Sequence, residues 1–554
     1  MRIRQWLCLS FAFLFIAISV YPVVEAQRRV GRTAASAKPD AAGTYNVRLF
    51  GARGDGTTLD SPAINKTIDA AAAAGGGVVR LPAGNYLAAT IRLKSHITLY
   101  LDEGATLIAA DGGPGVYDAP EPNPFAHYQD FGHTAWRNSL IWGENLVNVS
   151  IVGPGLIWGK GLVRSGGQSR TKEQNDAIRD APAKGPFGYP NPRDTVESGW
   201  GNKAIALKLC RNVLIRDISI LHGGHFAILA TGVDNLTIDN VKIDTNRDGI
   251  DVDACKNVRI SNCTINSPFD DGICLKSSYG LGYARATENV TITNCQVSGY
   301  DEGTLLDGTY KREYNRYSHN STTGRIKFGT ESNGGFKNIT ISNCVFDYSR
   351  GLALESVDGG HLEDVTITNI TMRDITNAPF FLRLGNRGRG PKESTSVGEL
   401  RRVLISNVVI YNADPKYASI ISGIPGHAIE DVRLSNIRIY YQGGGSKAQA
   451  ALDPPEKEKD YPEPVMFGEM PAYGFFIRHV DGLEMDNVEV SFMKEDLRPA
   501  FVLNNVKRAD FHRLRAQQAA DVPIFVFRNI EDFNVQHSRP LPDTRLAKSA
   551  EGKL

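Results

Sequence analysis

Neither sign of charge dominates the 554-residue chain: 62 Lys and Arg stand against 61 Asp and Glu. That balance removes the electrostatic basis for binding nucleic acid or an anionic membrane surface. The signature of a zinc site is missing too, since no CxxC pair and no His–Cys cluster occurs. Beyond the N-terminal segment, no stretch is long and apolar enough to span a bilayer, which takes about 20 residues. Aromatic residues at 9% and 55 glycines are ordinary for a globular or repeat protein and exclude a disordered chain.

The N-terminal "MRIRQWLCLSFAFLFIAISVYPVVEA" has two early arginines, a short apolar run and small residues at Val24 and Ala26. This pattern predicts a signal peptide over 1–26, cleaved after Ala26, and a secreted or periplasmic protein. A polar arm follows over 27–44. Cys8 would leave with the leader, so the mature chain keeps Cys210, Cys255, Cys263, Cys274, Cys295 and Cys344. Export permits disulfides, but the placement of these cysteines favours buried thiols.

One pattern recurs along the mature chain: an alternating apolar run, an asparagine, then another alternating run. It reads "LTIDNVKI", "VRISNCTI", "VTITNCQV", "ITISNCVF", "VTITNITM", "VLISNVVI", "VRLSNIRI" and "LEMDNVEV", with Asn240, Asn262, Asn294, Asn343, Asn369, Asn407, Asn436 and Asn487 at the bend. The shortest interval, Asn240 to Asn262, is 22 residues. A period in the twenties built from period-2 strands marks a solenoid whose turns stack to make a shared core. The expected fold is therefore all-β, a single-stranded right-handed parallel β-helix over 45–536. The bend asparagines would stack as an amide ladder, and Cys263, Cys295 and Cys344, each just after one of them, would line an interior column. "AINKTIDAAAAAGGG" predicts a short helix that caps the N-terminal end. The polar residues 537–554 read as a frayed tail. Insertions at 110–138, 160–202, 300–323, 385–398 and 442–472 would wall a groove.

In "TNRDGIDVDACKNVRISNCTINSPFDDGICLKSS", Asp248 precedes one glycine and Asp270–Asp271 precede another, one repeat later. They should meet at the same corner of adjacent turns. Two carboxyls about 6.5–9.5 Å apart suit an inverting glycosidase, which needs room for a water, and crowding would keep one of them protonated. Acidic corner residues also cap turns or bind a structural cation. Further along, "GIDVD", "GICLK", "GTLLD", "GLALE" and "PFFLR" each end in a charge, at Asp253, Lys276, Asp307, Glu355 and Arg383, with Lys327 near the same phase. This outward column reads either as a solvated salt-bridge ladder or as a cleft floor for sugar hydroxyls, with Arg325 and Glu331 beside it. His225, one turn earlier, is a further candidate.

These segments resemble glycoside hydrolase family 28, the polygalacturonase and rhamnogalacturonase group, over most of the mature chain. "YNVRLFGARGDGTTLDSPAINKTIDAAAAAGGGVVRLPAGNYL" is similar to the helix-capped first rungs of such pectin-lyase-like solenoids. "RDGIDVD" resembles the family's Asn-Thr-Asp-Gly motif, with Asn246 and Asp248 kept and Arg247 in place of Thr. "FDDGICLKSS" resembles its Asp-Asp segment, with Lys276 retained. The resemblance implies single-displacement, inverting hydrolysis of an α-linkage in a pectic polysaccharide, without cofactor or metal. By position it makes Asp270 the general acid, while Asp248 and Asp271 hold and activate water. Two departures stand out. "TTGRIKFGTESNGGF" has Thr323 where the family has the histidine of Gly-His-Gly. "GLALESVDGG" places Ala353 and Glu355 where the family's Arg and Lys grip a uronate, and "GRIK" lies a turn too early to replace them. A neutral sugar such as rhamnose is therefore a candidate for the main subsite. Asn246, Lys276, Arg325, Lys327, Glu331, Glu355, Arg383 and His225 are the expected substrate-binding residues. A calcium-dependent β-helix lyase and a non-catalytic carbohydrate-binding solenoid are the alternatives.

Overall fold

Two consecutive turns show how the sequence builds the coil. Strands Phe226–Thr231, Asp234–Asp239 and Lys242–Asp244 make one turn, and Asp248–Asp253, Lys256–Ser261 and Thr264–Asn266 make the next. They pair in parallel without slip: Ile228 lies on Ile250, Leu236 on Val258 and Ile243 on Ile265. Each offset equals the asparagine interval, so equivalent residues fall over one another. Alternation turns every second side chain inward along most of each strand. One inward column runs Val258, Val290, Ile339, Val365, Val403, Val432, Leu483 through successive parallel pairings. All seven are buried, and each contributes about 1.5–3 kcal/mol relative to an exposed position. The result is an all-β, right-handed parallel β-helix.

The computed structural model describes residues 43–129, 132–163, 199–313, 322–392 and 395–554. The expected leader 1–26, nearly all of the arm 27–44 and much of the insertions 160–202 and 300–323 lie outside the described residues. Within them, no helix is long and apolar enough to cross a membrane.

The bends are made by asparagines in the left-handed region, among them Asn240, Asn262, Asn294, Asn343, Asn369, Asn407, Asn436 and Asn487, with φ between 52° and 57°. Asparagine tolerates that conformation better than other side chains. Its amide also donates to the turn before: Asn294 to Asn262 at 3.2 Å, Asn369 to Asn343 at 3.1 Å, Asn436 to Asn407 at 3.1 Å and Asn487 to Asn436 at 2.9 Å. A second ladder, at a bend the repeat pattern did not single out, joins Asn148, Asn212, Asn235, Asn257, Asn289 and Asn338. All six cysteines among the described residues are buried free thiols, and Cys263, Cys295 and Cys344 sit in the main core.

Helix Ser61–Ala73 starts with proline in its first turn and buries Ile64, Ile68 and Ala71 against the first strands. At the other end the structure corrects the sequence reading. Residues 537–554 contain the strand Thr544–Lys553, which pairs antiparallel with Phe525–Gln536. A terminal parallel strand leaves a row of unpaired N–H and C=O groups, and this segment satisfies them. Its composition is polar because no further layer covers it.

Two insertions fold back over the outward face of the coil. Trp136, from 110–138, packs on Ala206, Phe226 and Leu229. Phe467, Met470 and Ala472, from 442–472, pack on Ala353, Phe381, Ile420 and Phe476. The stretch of coil between these two covers carries the charged residues.

Replacing a ladder asparagine tests the bend. Asn294→Ala is expected to lower stability by about 1–2 kcal/mol, because alanine resists the left-handed conformation. Asn294→Gly should cost less, since glycine adopts it freely. Thermal melts of the two variants against the parent check this order.

Candidate active site

Asp248 opens the strand Asp248–Asp253, and Asp270–Asp271 lie in the turn before the strand Ile273–Ser277. The register that sets Ile250 on Ile273 brings Asp248 level with Asp271. The backbone follows, with Gly249 N donating to Asp271 O at 3.0 Å. A Cβ on Gly249 would meet Gly272 O and Ile265 Cγ2, both at 2.5 Å, so only glycine lets the turns close beside the carboxylates. One oxygen from each of Asp248, Asp270 and Asp271 lies within 4.8 Å of the others. The sequence expectation of convergence holds. The approach is tighter than the roughly 6.5–9.5 Å carboxyl separation of a simple inverting pair.

The three carboxylates live in different fields. Burial, helped by the like charges of Asp251 and Asp270, pushes Asp248 well above the usual carboxylate range, against the pull of Lys276 and Arg247. Burial would raise Asp271 as well, but Lys327, Arg325 and Lys276 hold it below its ordinary value. Arg325 Nε donates to Asp271 Oδ1 at 2.8 Å, and Lys327 Nζ lies 3.4 Å from Oδ2. Asp270 is the accessible member, with 27% of its side chain exposed, and pairs with Arg247 at 2.6 Å. The site therefore combines a carboxyl pushed up by burial, one held down by neighbouring cations, and one that faces solvent.

Below the triad lies Asp251, which the sequence reading passed over. It is buried, neither oxygen has a hydrogen-bond partner, and Lys276 Nζ stands 3.8 Å away. Burial pushes it well up, against the pull of Lys276. Lys276 also lies 3.5 Å from Glu331, which in turn has Arg387 and His133 at 3.8 Å. Burial and Lys276 drive His133 down to about 3, so it is a neutral imidazole. His225 directly precedes Phe226, the strand partner of Asp248, and packs edge-on against that ring. Asn246 is buried two residues before Asp248.

The charged column differs from its sequence reading in four respects. It is no solvated ladder, since Asp253, Lys276, Glu355 and Arg383 are all buried. Asp307 does not belong to it: "GTLLD" is a series of turns because buried Asp244 accepts from the amides of Gly303, Leu305 and Leu306. Lys327 lies one column over, paired with Cys274 and Ala353. Arg383 is not placed to hold substrate: its guanidinium donates to Ser422 Oγ and to the carbonyls of Gly423, Glu456 and Lys457, so it fastens the 442–472 insertion. That insertion adds two residues the repeats could not reveal. Glu463 pairs with Arg325 and Arg350, and Tyr461 Oη meets Lys327 Nζ at 3.4 Å.

Comparison with known proteins finds the same fold and polygalacturonase-like sequences. Residues 44–121 match the model described as rhamnogalacturonase A/epimerase, pectate lyase-like, and residues 193–282 match the right-handed β-helix region. A probable polygalacturonase of Vitis vinifera is 24% identical over 72% of this chain and 74% of its own length. An endo-polygalacturonase of Pectobacterium carotovorum is 25% identical over 54% and 74%. Among solved structures, a family 28 exopolygalacturonase of Yersinia enterocolitica has a TM-score of 0.58 at 19% identity, covering 88% of this chain and 79% of its own. An exopolygalacturonase of Thermotoga maritima has 0.55 at 19%, covering 93% and 95%. The likeness to polygalacturonases over most of the chain supports a family 28-like chain. Thr323 is buried with its amide on Pro268 O, and Ala353 lies under the Phe467 cover. Glu355 is buried 3.6 Å from Lys327, so the "GRIK" lysine reaches across from the adjacent turn.

Burial raises Glu355 to about 7, despite Lys327 and Arg325. A carboxyl near 4.3 when unfolded thus takes up a proton on folding between about pH 4.3 and 7. Its stability is full below that window and falls as pH rises through it. Asp253, raised by burial to about 6, acts in the same sense. The depressed Asp271 acts oppositely below about pH 4, His133, held neutral, below about pH 6.5, and Lys203, lowered by burial to about 7, above that. The contribution of Glu355 is therefore read as a difference: between pH 5 and 7.5 the melting temperature of the parent should fall relative to that of Glu355→Gln. Melts across this pH range check it.

Proposed function

We propose that the protein is an exported glycoside hydrolase that removes sugars from the end of an α-linked pectic chain by single displacement with inversion. The observation that carries this reading is the convergence of Asp248, Asp270 and Asp271, one oxygen of each within 4.8 Å of the others, with Asp270 accessible and Asp271 clamped by Arg325 and Lys327. Asp270, the accessible member, delivers a proton to the leaving oxygen, with Asp248, whose carboxyl burial pushes well up, beside it. Asp271 stays ionised between Arg325 and Lys327 and draws a proton from the attacking water. With 2% of its side chain exposed, Asp271 is recessed and clamped, which suits action through water and not bonding to the anomeric carbon. This division differs from the positional expectation, which grouped Asp248 with Asp271.

The covers supplied by 110–138 and 442–472 support action at a chain end, because each packs on the outward face on one side of the triad. The names of the polygalacturonase relatives support a pectic substrate. A calcium-dependent lyase fits less well. A divalent cation at the triad would meet Arg247, Arg325, Lys327 and Lys276, which already neutralise these carboxylates.

Asp270→Asn should reduce turnover at least about a hundredfold, as loss of a general acid does, with the melting temperature little changed. Proton NMR of the first product should show the β-anomer appearing first from an α-linkage; the α-anomer first would exclude inversion. Product analysis on homogalacturonan and rhamnogalacturonan fragments should give small sugars from the outset, without a ladder of intermediates. A chelator should leave the rate unchanged and no ultraviolet-absorbing unsaturated end should form, whereas a lyase requires both the cation and the unsaturated end.

A further inference from the structure

The cations beside the triad face carboxylates of the chain itself. Arg325 bridges Asp271 and Glu463, and Arg350 Nη1 donates to the second oxygen of Glu463 at 3.0 Å. Lys327 lies between Asp271 and Glu355, Lys276 between Asp251 and Glu331, and Arg387 grips Asp358. Glu463 is the one among these carboxylates that comes from the 442–472 insertion and not from the coil or its adjoining turns. Its position is fixed from both sides. Ahead of it, Arg478 donates to Pro454 O at 2.8 Å and Pro455 O at 3.0 Å, while Arg383 holds the carbonyls of Glu456 and Lys457. Behind it, Pro464 starts a short 3-10 helix that buries Phe467 on the outward face of the coil. A carboxylate pinned by two arginines next to a glycosidase triad is what a bound uronate would provide.

We propose that Glu463 fills the place a uronate carboxylate would take, so that the sugar seated against the triad is a neutral α-linked hexose or deoxyhexose. The inference rests on the hydrolase reading above and names its substrate class. A uronate would bring another negative charge to a pair of arginines already satisfied, against Glu463 and Asp271. Glu355 works in the same direction. It is buried 3.6 Å from Lys327, so this lysine too is already faced by carboxylates of the chain, Glu355 and Asp271.

The test uses p-nitrophenyl α-L-rhamnoside, α-D-galactoside and α-D-galacturonide with the parent and with Glu463→Gln. The parent should show kcat/KM at least about tenfold higher for a neutral glycoside than for the galacturonide. Glu463→Gln, which keeps the size and removes the charge, should raise kcat/KM for the galacturonide about tenfold. A parent that prefers the galacturonide, or a variant that gains nothing on it, overturns the proposal. Binding is measured separately by calorimetry in the Asp270→Asn background, with rhamnose, galactose and galacturonate. Tighter neutral-sugar binding, lost on adding Glu463→Gln, supports the proposal, and tighter galacturonate binding refutes it. Should no glycoside turn over, the hydrolase reading fails while the binding comparison still decides the selectivity.

Discussion

Parallel strands stacked in register set each side chain about 4.8 Å from its equivalent on the next turn. In this coil that spacing governs the interior and the outward face alike. Inside, it stacks Val258, Val290 and Ile339 into a continuous apolar column. At the bends it stacks asparagine amides within hydrogen-bond reach. On the outward face it sets charge beside charge, so no carboxylate near the triad has an electrostatic environment of its own. Asp248 feels Asp251 and Asp270, and Asp271 feels Arg325 and Lys327.

The chemistry follows from that crowding. Burying so many ionised groups is costly unless they pair, and most of them do. Burial nevertheless pushes Asp248, Asp251, Asp253 and Glu355 upward, and a carboxyl held above the ordinary range suits an acid catalyst. Asp271 lies on the other side of the balance because two cations from the next turn reach it. One register thus shifts identical side chains in opposite directions, which the proposed mechanism uses for its acid and its base. The insertions complete the site: Trp136 closes one side, and Phe467 with Glu463 closes the other.

The period of 22 residues and the asparagines made the coil legible from sequence, because each turn repeats the same local conformation. The triad was legible for the same reason, as Asp248 and Asp271 occupy one phase of adjacent turns. What stayed hidden was whatever the period does not carry. Asp251 was passed over because it reads as one polar residue in an alternating strand. Glu463 and Tyr461 lie in a long insertion whose return to the coil depends on Arg383 and Arg478 catching its carbonyls. Arg383 itself was misread because its phase placed it on the cleft floor, whereas its guanidinium is consumed by the loop above. Asp307 was misread because a strand-like alternation was overruled by a distant carboxylate, Asp244. The strand Thr544–Lys553 was hidden because an edge strand with one face in water need not look apolar.

Burial raises Asp248 while Arg325 and Lys327 hold Asp271 down, so the two carboxyls should differ in protonation. Neutron diffraction from deuterated crystals near neutral pH observes this directly. Deuterium density is expected on Asp248 and on neither oxygen of Asp271. Density on Asp271, or three fully ionised carboxylates, would contradict it.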